Sequence, residues 1–449
     1  TVYFRGGVWY STERVLVGSY GHPAKVGKPD SLICFMNYPG ETPILDCRNH
    51  TTTGHDNGLN ISYSYYIKLR GLTVRYCRQR VDSQYITGIE IGYAFGGPVW
   101  LERLTSHGNW GNGIEFAGYD TLYVTSCDSY DNADSLSITT GIGNRADGFG
   151  GGSGGTETDT FKIAYWEGCR SWHNSDDGFD FGTSKQIQVT NCWSFLNGYL
   201  PEGGGIGFKT GPSHVGISSK RRIYKTLAAF NNYPAYADQN MDDAYYGPVV
   251  EYSNNTSYKN QIGFISDNNT FNCNTGRAKV KYNNNLVYKS RMSYFDQMYL
   301  TLCHSAAPYY PHYTNNNNNT WIYDTNVPYW KYNPLVKVTD DDFFLIDSTA
   351  AIAELTAPRK KDGSLPELTF LKLKENSDLI DAGIDIGLAF SGEFPDIGFS
   401  EFTSGSPTES IPEYLSSEIN DKTPSLLEIT YNLTLANIVP TVSSFSVTV

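Results

Sequence analysis

The sequence predicts an all-β fold, a parallel β-helix (solenoid) with a C-terminal capping region and a partial β-sandwich tail. Three observations carry this. A Gly-Phe core recurs at Gly148, Gly178 and Gly207, at intervals of 30 and 29 residues. A Ser-aromatic-x-Asn run precedes each core, and short β-branched stretches such as Leu122-Tyr123-Val124-Thr125 and Ile187-Gln188-Val189-Thr190 lie between them. Short strands, a turn residue at a fixed place and a period of about 25–30 residues make one coil of a parallel β-helix. A propeller would need four strands per roughly 40 residues with Trp-Asp signatures, and the sequence has none.

In chain order, residues 1–65 alternate strand-like runs, clearest at Val2 to Trp9 and Ile44-Leu45-Asp46, with Gly, Pro and Asn turns. From Tyr66 the repeat takes over. Its Asn half ends at Asn109, Asn132, Asn174, Asn197 and Asn260, with a weaker copy at Asn231, and recurs every 23–42 residues. Its Gly half reads Gly88-Ile89-Glu90-Ile91, Gly113-Ile114-Glu115-Phe116, the three cores above and Ile262-Gly263-Phe264. Coils stack ~4.8 Å apart, so equivalent residues form ladders, and the asparagines are expected to stack at a turn. Cys127, Cys169 and Cys192 each precede a repeat Asn by five residues, in line with Leu104 and Thr226. They read as an unbridged inward column of small hydrophobes. No CxxC pair occurs, so zinc is not expected. The domain reading is a β-helix catalytic domain over 1–335, a cap packed on it over 336–402, and a linker with part of a β-sandwich module over 403–449.

The net charge of −13 argues against nucleic acid or a membrane surface as partner. No apolar run is long enough to span a bilayer. No signal peptide is present, but Thr1-Val2-Tyr3-Phe4 opens directly on a strand-like pattern, so a trimmed sequence is expected. A secreted or cell-surface bacterial monomer is expected. An acidic protein that handles an acidic polymer needs local positive charge, and a bound cation is the obvious source.

Laying the Gly-Phe cores over one another puts Asp147 over Asp177 and Lys209 over Asp180. Asp147, Asp176, Asp177, Asp180 and Lys209 then converge on one face, a hard-cation site beside a base. The connections from Asn132 to Asp147 and from Asn197 to Gly207, and those after Gly150 and Gly211, carry extra length. Coils tolerate insertions at turns, so these loops are expected to wall a groove there.

The runs Ala146-Asp147-Gly148-Phe149, Ser171 to Asp180 and Gly205-Ile206-Gly207-Phe208-Lys209 resemble polysaccharide lyase family 9. The similarity continues through Asp238-Gln239-Asn240, Asn255-Thr256-Ser257-Tyr258, Pro358 to Pro366, Leu379 to Gly383 and Pro395-Asp396-Ile397-Gly398. It implies a right-handed parallel β-helix and a calcium-dependent pectate or rhamnogalacturonan lyase. It further implies that Asp147, Asp176, Asp177 and Asp180 are calcium ligands and that Lys209 is the base. The Gly-rich insertion after Phe149 departs from simpler members and bears on substrate preference.

The chemistry is coherent. Cleaving a uronate polymer by β-elimination removes the C5 proton, α to a carboxylate, and charge builds on that carboxylate. Clustered aspartates are the usual protein donors to Ca²⁺, and a neutral lysine can take the proton. Other readings stand beside this one. Lys209 pairs with Asp180 or Asp238 in an ordinary ion pair, or the aspartates hold a purely structural calcium. The Lys220-Arg221-Arg222 run grips substrate carboxylates or forms a solvated turn, and Tyr245 stacks on sugar or merely packs. Arg221, Arg222, Asp238 and Tyr245 are the candidate substrate contacts. A glycoside hydrolase using Asp176 and Asp177 is the alternative enzyme, weakened if both lie in a strand and so face opposite ways. A non-catalytic carbohydrate-binding β-helix is the third reading.

Overall fold

Each turn of the chain lays down three short strands, and each strand pairs in parallel with its counterpart one coil later. The computed structural model describes residues 1–18, 25–116, 118–151, 161–182, 186–210, 220–238, 249–266, 279–296, 313–323, 330–332, 336–403, 414–419 and 427–431. The strands build three long sheets of 11, 10 and 10 members. The first opens with Val2–Phe4 and Ile33–Asn37, the second with Gly7–Tyr10 and Pro43–Asp46, the third with Val15–Leu16 and Asp56–Ser62. This is a right-handed parallel β-helix, as the repeat and the resemblance implied. Among the described residues no helix is long and apolar enough to cross a membrane.

Period-two alternation fills the interior. In the first sheet Val99 and Leu101, Leu122 and Val124, and Ile187 and Val189 are buried. Between them, pointing outward, Trp100, Tyr123 and Tyr165 stack on one another with centroids 5.5 and 5.1 Å apart. In the third sheet Phe149, Phe179, Phe208, Tyr236 and Phe264 stack inward, at 4.8, 4.9, 5.3 and 4.5 Å. The coil spacing and the preferred offset of aromatic rings therefore agree.

The Ser-x-x-Asn and Gly-Phe halves are parts of one device. Asn Nδ2 of each coil donates to Asn Oδ1 of the next, from Asn109 through Asn132, Asn174, Asn197 and Asn231 to Asn260, at 2.8–3.0 Å. Each Ser hydroxyl crosses to a glycine carbonyl: Ser129 to Gly148, Ser171 to Gly178, Ser194 to Gly207. The crossing needs a residue with no side chain. A Cβ on Gly148 would sit 1.9 Å from Ser171 Oγ, and one on Gly178 2.0 Å from Ser194 Oγ. Cys127, Cys169 and Cys192 are buried and unbridged, with Cys169 N 3.3 Å from Cys192 Sγ, as the column reading expected.

One compact unit runs from Thr1 to Phe402, and a second from Thr403 to Val449. Within the first, residues 336–402 form a strap with one short helix, Ser348–Leu355. The strap's described contacts run along the outer face of the second sheet: Phe343, Leu355, Phe370 and Leu379 share a core with Trp193, Leu227 and Leu286. The second unit's described residues are one antiparallel pair, Tyr414–Ile419 with Leu427–Tyr431.

Candidate active site

Asp176 and Asp177 lie in the bend between the strands Arg170–Trp172 and Phe179–Asp180, not in a strand. Alternation therefore does not part them. With Asp147 from the coil before, each brings a carboxylate oxygen within 4.8 Å of the others. Among the described residues no other three His, Cys, Asp or Glu side chains meet this way.

Backbone donors fix each carboxylate. Asp177 N donates to Asp147 Oδ1 at 3.0 Å, Gly204 N to Asp176 Oδ1 at 2.6 Å, and Ile206 N to Asp177 Oδ1 at 2.7 Å. Asn112 Oδ1 in turn accepts from Asp147 N at 2.9 Å. The register pairs Asp180 with Lys209. Lys209 Nζ lies 3.0 Å from Asp177 Oδ2 and 2.9 Å from Asp180 Oδ2, so the ammonium bridges the triad and the fourth aspartate. Asp180 stands outside the close group, its Oδ1 accepting from Gly182 N at 2.8 Å.

Electrostatics follow from this crowding. Burial, then repulsion from Asp176, Asp177 and Asp180, holds Asp147 well above the usual carboxylate range. Burial and Asp177 push Asp176 up to about 8. Burial raises Asp177 as well, opposed by Lys209. For Lys209 burial works downward, but Asp177, Asp180 and Asp147 overcome it and hold the amine above its ordinary value. Three crowded carboxylates faced by one lysine are short of positive charge. All the donors are oxygens, as a hard divalent cation such as Ca²⁺ requires. The residues fit that ion.

The remaining candidates fall elsewhere. Arg221 is wholly buried, paired between Ile187 and Val250 in the inward column of the first sheet. It does not offer its guanidinium to a polymer, which corrects the expectation of a substrate contact there. The strand Lys220–Tyr224 alternates, so Arg222 turns outward, 44% exposed and 3.7 Å from Glu251. Asp238 pairs with Thr210 rather than Lys209 in the third sheet, and its side chain lies outside the described residues. Tyr245 lies outside them entirely.

Two expected insertions pack on one another beside the aspartates. Glu202 N donates to Ile142 O at 3.1 Å, and Ser175 Oγ to Gly143 O at 3.1 Å. The first loop also reaches back two coils, where Gln79 Nε2 meets Ser137 Oγ at 3.0 Å. The insertions after Gly151 and Thr210 lie outside the described residues. Asn112, Gly204 and the Ile206 amide were not singled out in the sequence. The triple glycine Gly203-Gly204-Gly205 was the available signal, because a Cβ on Gly204 would sit 2.6 Å from Asp177 Oδ1.

A family model described as Pel9A-like, right-handed β-helix region, matches residues 1–291. Pectate lyase L of Dickeya chrysanthemi is 30% identical over 338 residues, spanning 71% of this chain and 67% of that protein. The chain belongs to the Pel9A-like right-handed β-helix family of polysaccharide lyases. The family's architecture recurs in solved structures. The crystal structure of pectate lyase Pel9A superposes with a TM-score of 0.63 at 24% identity, covering 89% of this chain and 87% of that one. A rhamnogalacturonan lyase superposes with a TM-score of 0.61 at 22% identity, covering 83% and 88%.

Proposed function

We propose that the chain cleaves a uronate-containing polymer, pectic polygalacturonate or rhamnogalacturonan I, by β-elimination. In this reading Lys209 takes the C5 proton, and Asp147, Asp176, Asp177 and Asp180 hold Ca²⁺. The observation that supports it best is Lys209 Nζ, 3.0 and 2.9 Å from Asp177 and Asp180 at the edge of the aspartate triad. A polymer too large to enter a cell is met outside it, which favours a secreted enzyme. One chain supplies every residue invoked.

When bound, Ca²⁺ supplies positive charge against both the aspartates and the substrate carboxylate. The chain's residues do the rest. Amides of Gly204 and Ile206 keep Asp176 and Asp177 in place before substrate arrives, so no reorganisation is needed at the moment of reaction. Once the aspartate charge is offset, burial decides the protonation of Lys209, and burial favours the neutral amine. The amine can then accept a proton from a carbon held above the third sheet.

The test is ultraviolet absorbance of unsaturated product from defined uronans, with and without chelator. Product should form, vanish on exhaustive chelation and return with added Ca²⁺. Full activity in chelator would sink the metal-assisted reading, and cleavage without unsaturated product would point to hydrolysis.

A further inference from the structure

The outward column of the third sheet does not end at Asp180. Paired residues run Asn60, Glu90, Glu115, Gly150, Asp180, Lys209 from coil to coil. At ~4.8 Å per coil, Glu115 stands roughly 14 Å from Lys209 along the axis and Glu90 roughly 19 Å. A sugar chain lying along the sheet from Lys209 would reach them within a few residues. In the other direction the column turns apolar, with Ala237 and Ile265 buried against Ile206 and Ile262. The polar path therefore leads toward the N-terminal coils.

Hydrogen bonds along that path turn most donors onto the glutamates and leave acceptors outward, with half-exposed His55 keeping one ring nitrogen beyond its contact with Glu90. Glu115 Oε2 accepts from Thr87 Oγ1 at 2.6 Å, and Oε1 accepts a hydrogen bond from the Tyr85 hydroxyl. Tyr85 is 36% exposed, and with its O–H engaged on Glu115 its phenol oxygen can only accept from a ligand. Glu90 Oε2 accepts from Asn57 Nδ2 at 2.7 Å and lies 3.2 Å from His55 Nε2. Asn57 behind Glu90 is wholly buried and its Oδ1 has no partner, which adds acceptor character to the ground beneath the cluster but offers no ligand contact. The outward acceptor is the Tyr85 oxygen, and a sugar hydroxyl supplies a donor to it. A uronate carboxylate supplies none, and it would meet two nearly buried carboxylates in a low dielectric.

We propose that Tyr85 and Glu115, backed by Glu90, determine specificity at this distance from Lys209 by taking a neutral sugar and refusing a uronate. This rests on the uronan-lyase reading and narrows it. The preferred polymer is one whose uronate run is interrupted by neutral sugars, rather than a homouronan.

Binding tests it without turnover. Lys209→Ala protein, saturated with Ca²⁺, is titrated calorimetrically with a homouronan oligomer and with one alternating uronate and neutral sugar. Tyr85→Phe and Glu115→Gln are then each added to that background. The parent should bind the alternating oligomer about tenfold tighter or more. Glu115→Gln should shrink the ratio severalfold, chiefly by gaining affinity for the homouronan. Tyr85→Phe, which keeps the ring, should weaken only the alternating oligomer and serves alone if Glu115→Gln does not fold. Equal affinities in the parent, or variants that shift both oligomers by one factor, overturn the proposal. So does a homouronan affinity that climbs with Ca²⁺ and needs Glu115, since the cluster would then be a cation bridge. Wild-type protein that forms no unsaturated product overturns the lyase reading instead and leaves these binding ratios intact.

Discussion

At the scale of single residues, Lys209 has the most at stake. Its ion pairs to Asp177 and Asp180 fit a structural role as well as the proposed chemical one, and substitution separates the two. If Lys209 is the base, Lys209→Ala should lower turnover by several orders of magnitude, since a positioned base contributes ~10²–10⁴. Lys209→Arg should be nearly as slow, because a guanidinium stays protonated at any working pH, yet it restores the positive charge. A purely structural role predicts the opposite, with Arg rescuing much of the loss. Wild-type rate should rise toward alkaline pH as the remaining protonated amine gives up its proton. Initial rates of unsaturated-product formation against pH, with Ca²⁺ saturating, decide this. A Lys209→Ala enzyme within tenfold of wild type would assign the proton elsewhere.

At the scale of the coil, the glycine and the Ser-x-x-Asn run hold one another in place, and the prediction concerns that crossing. Gly178→Ala puts a methyl 2.0 Å from Ser194 Oγ and 2.8 Å from Gly207 O. The hydroxyl can be removed but the carbonyl cannot. Gly178→Ala should therefore lower the urea midpoint more than Ser194→Ala, and the double variant should recover part of the loss. Strict additivity of the two changes would refute the contact. Asn174→Ala should cost roughly 2–4 kcal/mol, since neighbouring amides lose their partner at ~1–3 kcal/mol each. These ladders were legible in the sequence because a solenoid repeats every contact at one spacing, and the same overlay put Lys209 against Asp180. What escaped it depended on neighbours. Lys220-Arg221-Arg222 looks like a solvated or gripping run until strand pairing buries Arg221 between Ile187 and Val250. Asp176 and Asp177 face together because they occupy a bend, and of the backbone amides holding them only that of Gly204 leaves a trace in residue type, through the glycine run. The path of the strap along the second sheet was equally hidden, since it repeats nothing.

At the scale of the molecule, that strap is tied to the solenoid by a charge network. Asp128 accepts from Arg170 Nε and Nη2 at 2.9 Å each, and from Arg359 Nε and Nη2 at 3.0 and 2.7 Å. Arg170 Nη1 then donates to the Leu355 and Ala357 carbonyls of the strap, at 3.0 and 2.7 Å. Burial alone would raise the Asp128 carboxyl, but the two guanidinium groups overcome it and hold it below its ordinary value. The sign of the pH effect follows. A carboxyl depressed in the fold binds protons less readily there than in the unfolded chain, whose value is about 3.9. Its contribution is complete above that value and is lost as pH falls through the lower, folded one. Asp128→Asn should remove about 3–5 kcal/mol at neutral pH, because two arginines are left without their counter-charge. Trp193, buried under the strap, and Trp172, packed beside it, report the loosening through their fluorescence. In urea titrations wild-type stability should fall steeply below the ordinary carboxylate range, whereas Asp128→Asn should start lower at neutral pH and respond less to acid. If the two proteins instead give parallel curves across that range, the network does not fasten the strap, and the apolar contacts of Phe343, Phe370 and Leu379 hold it alone.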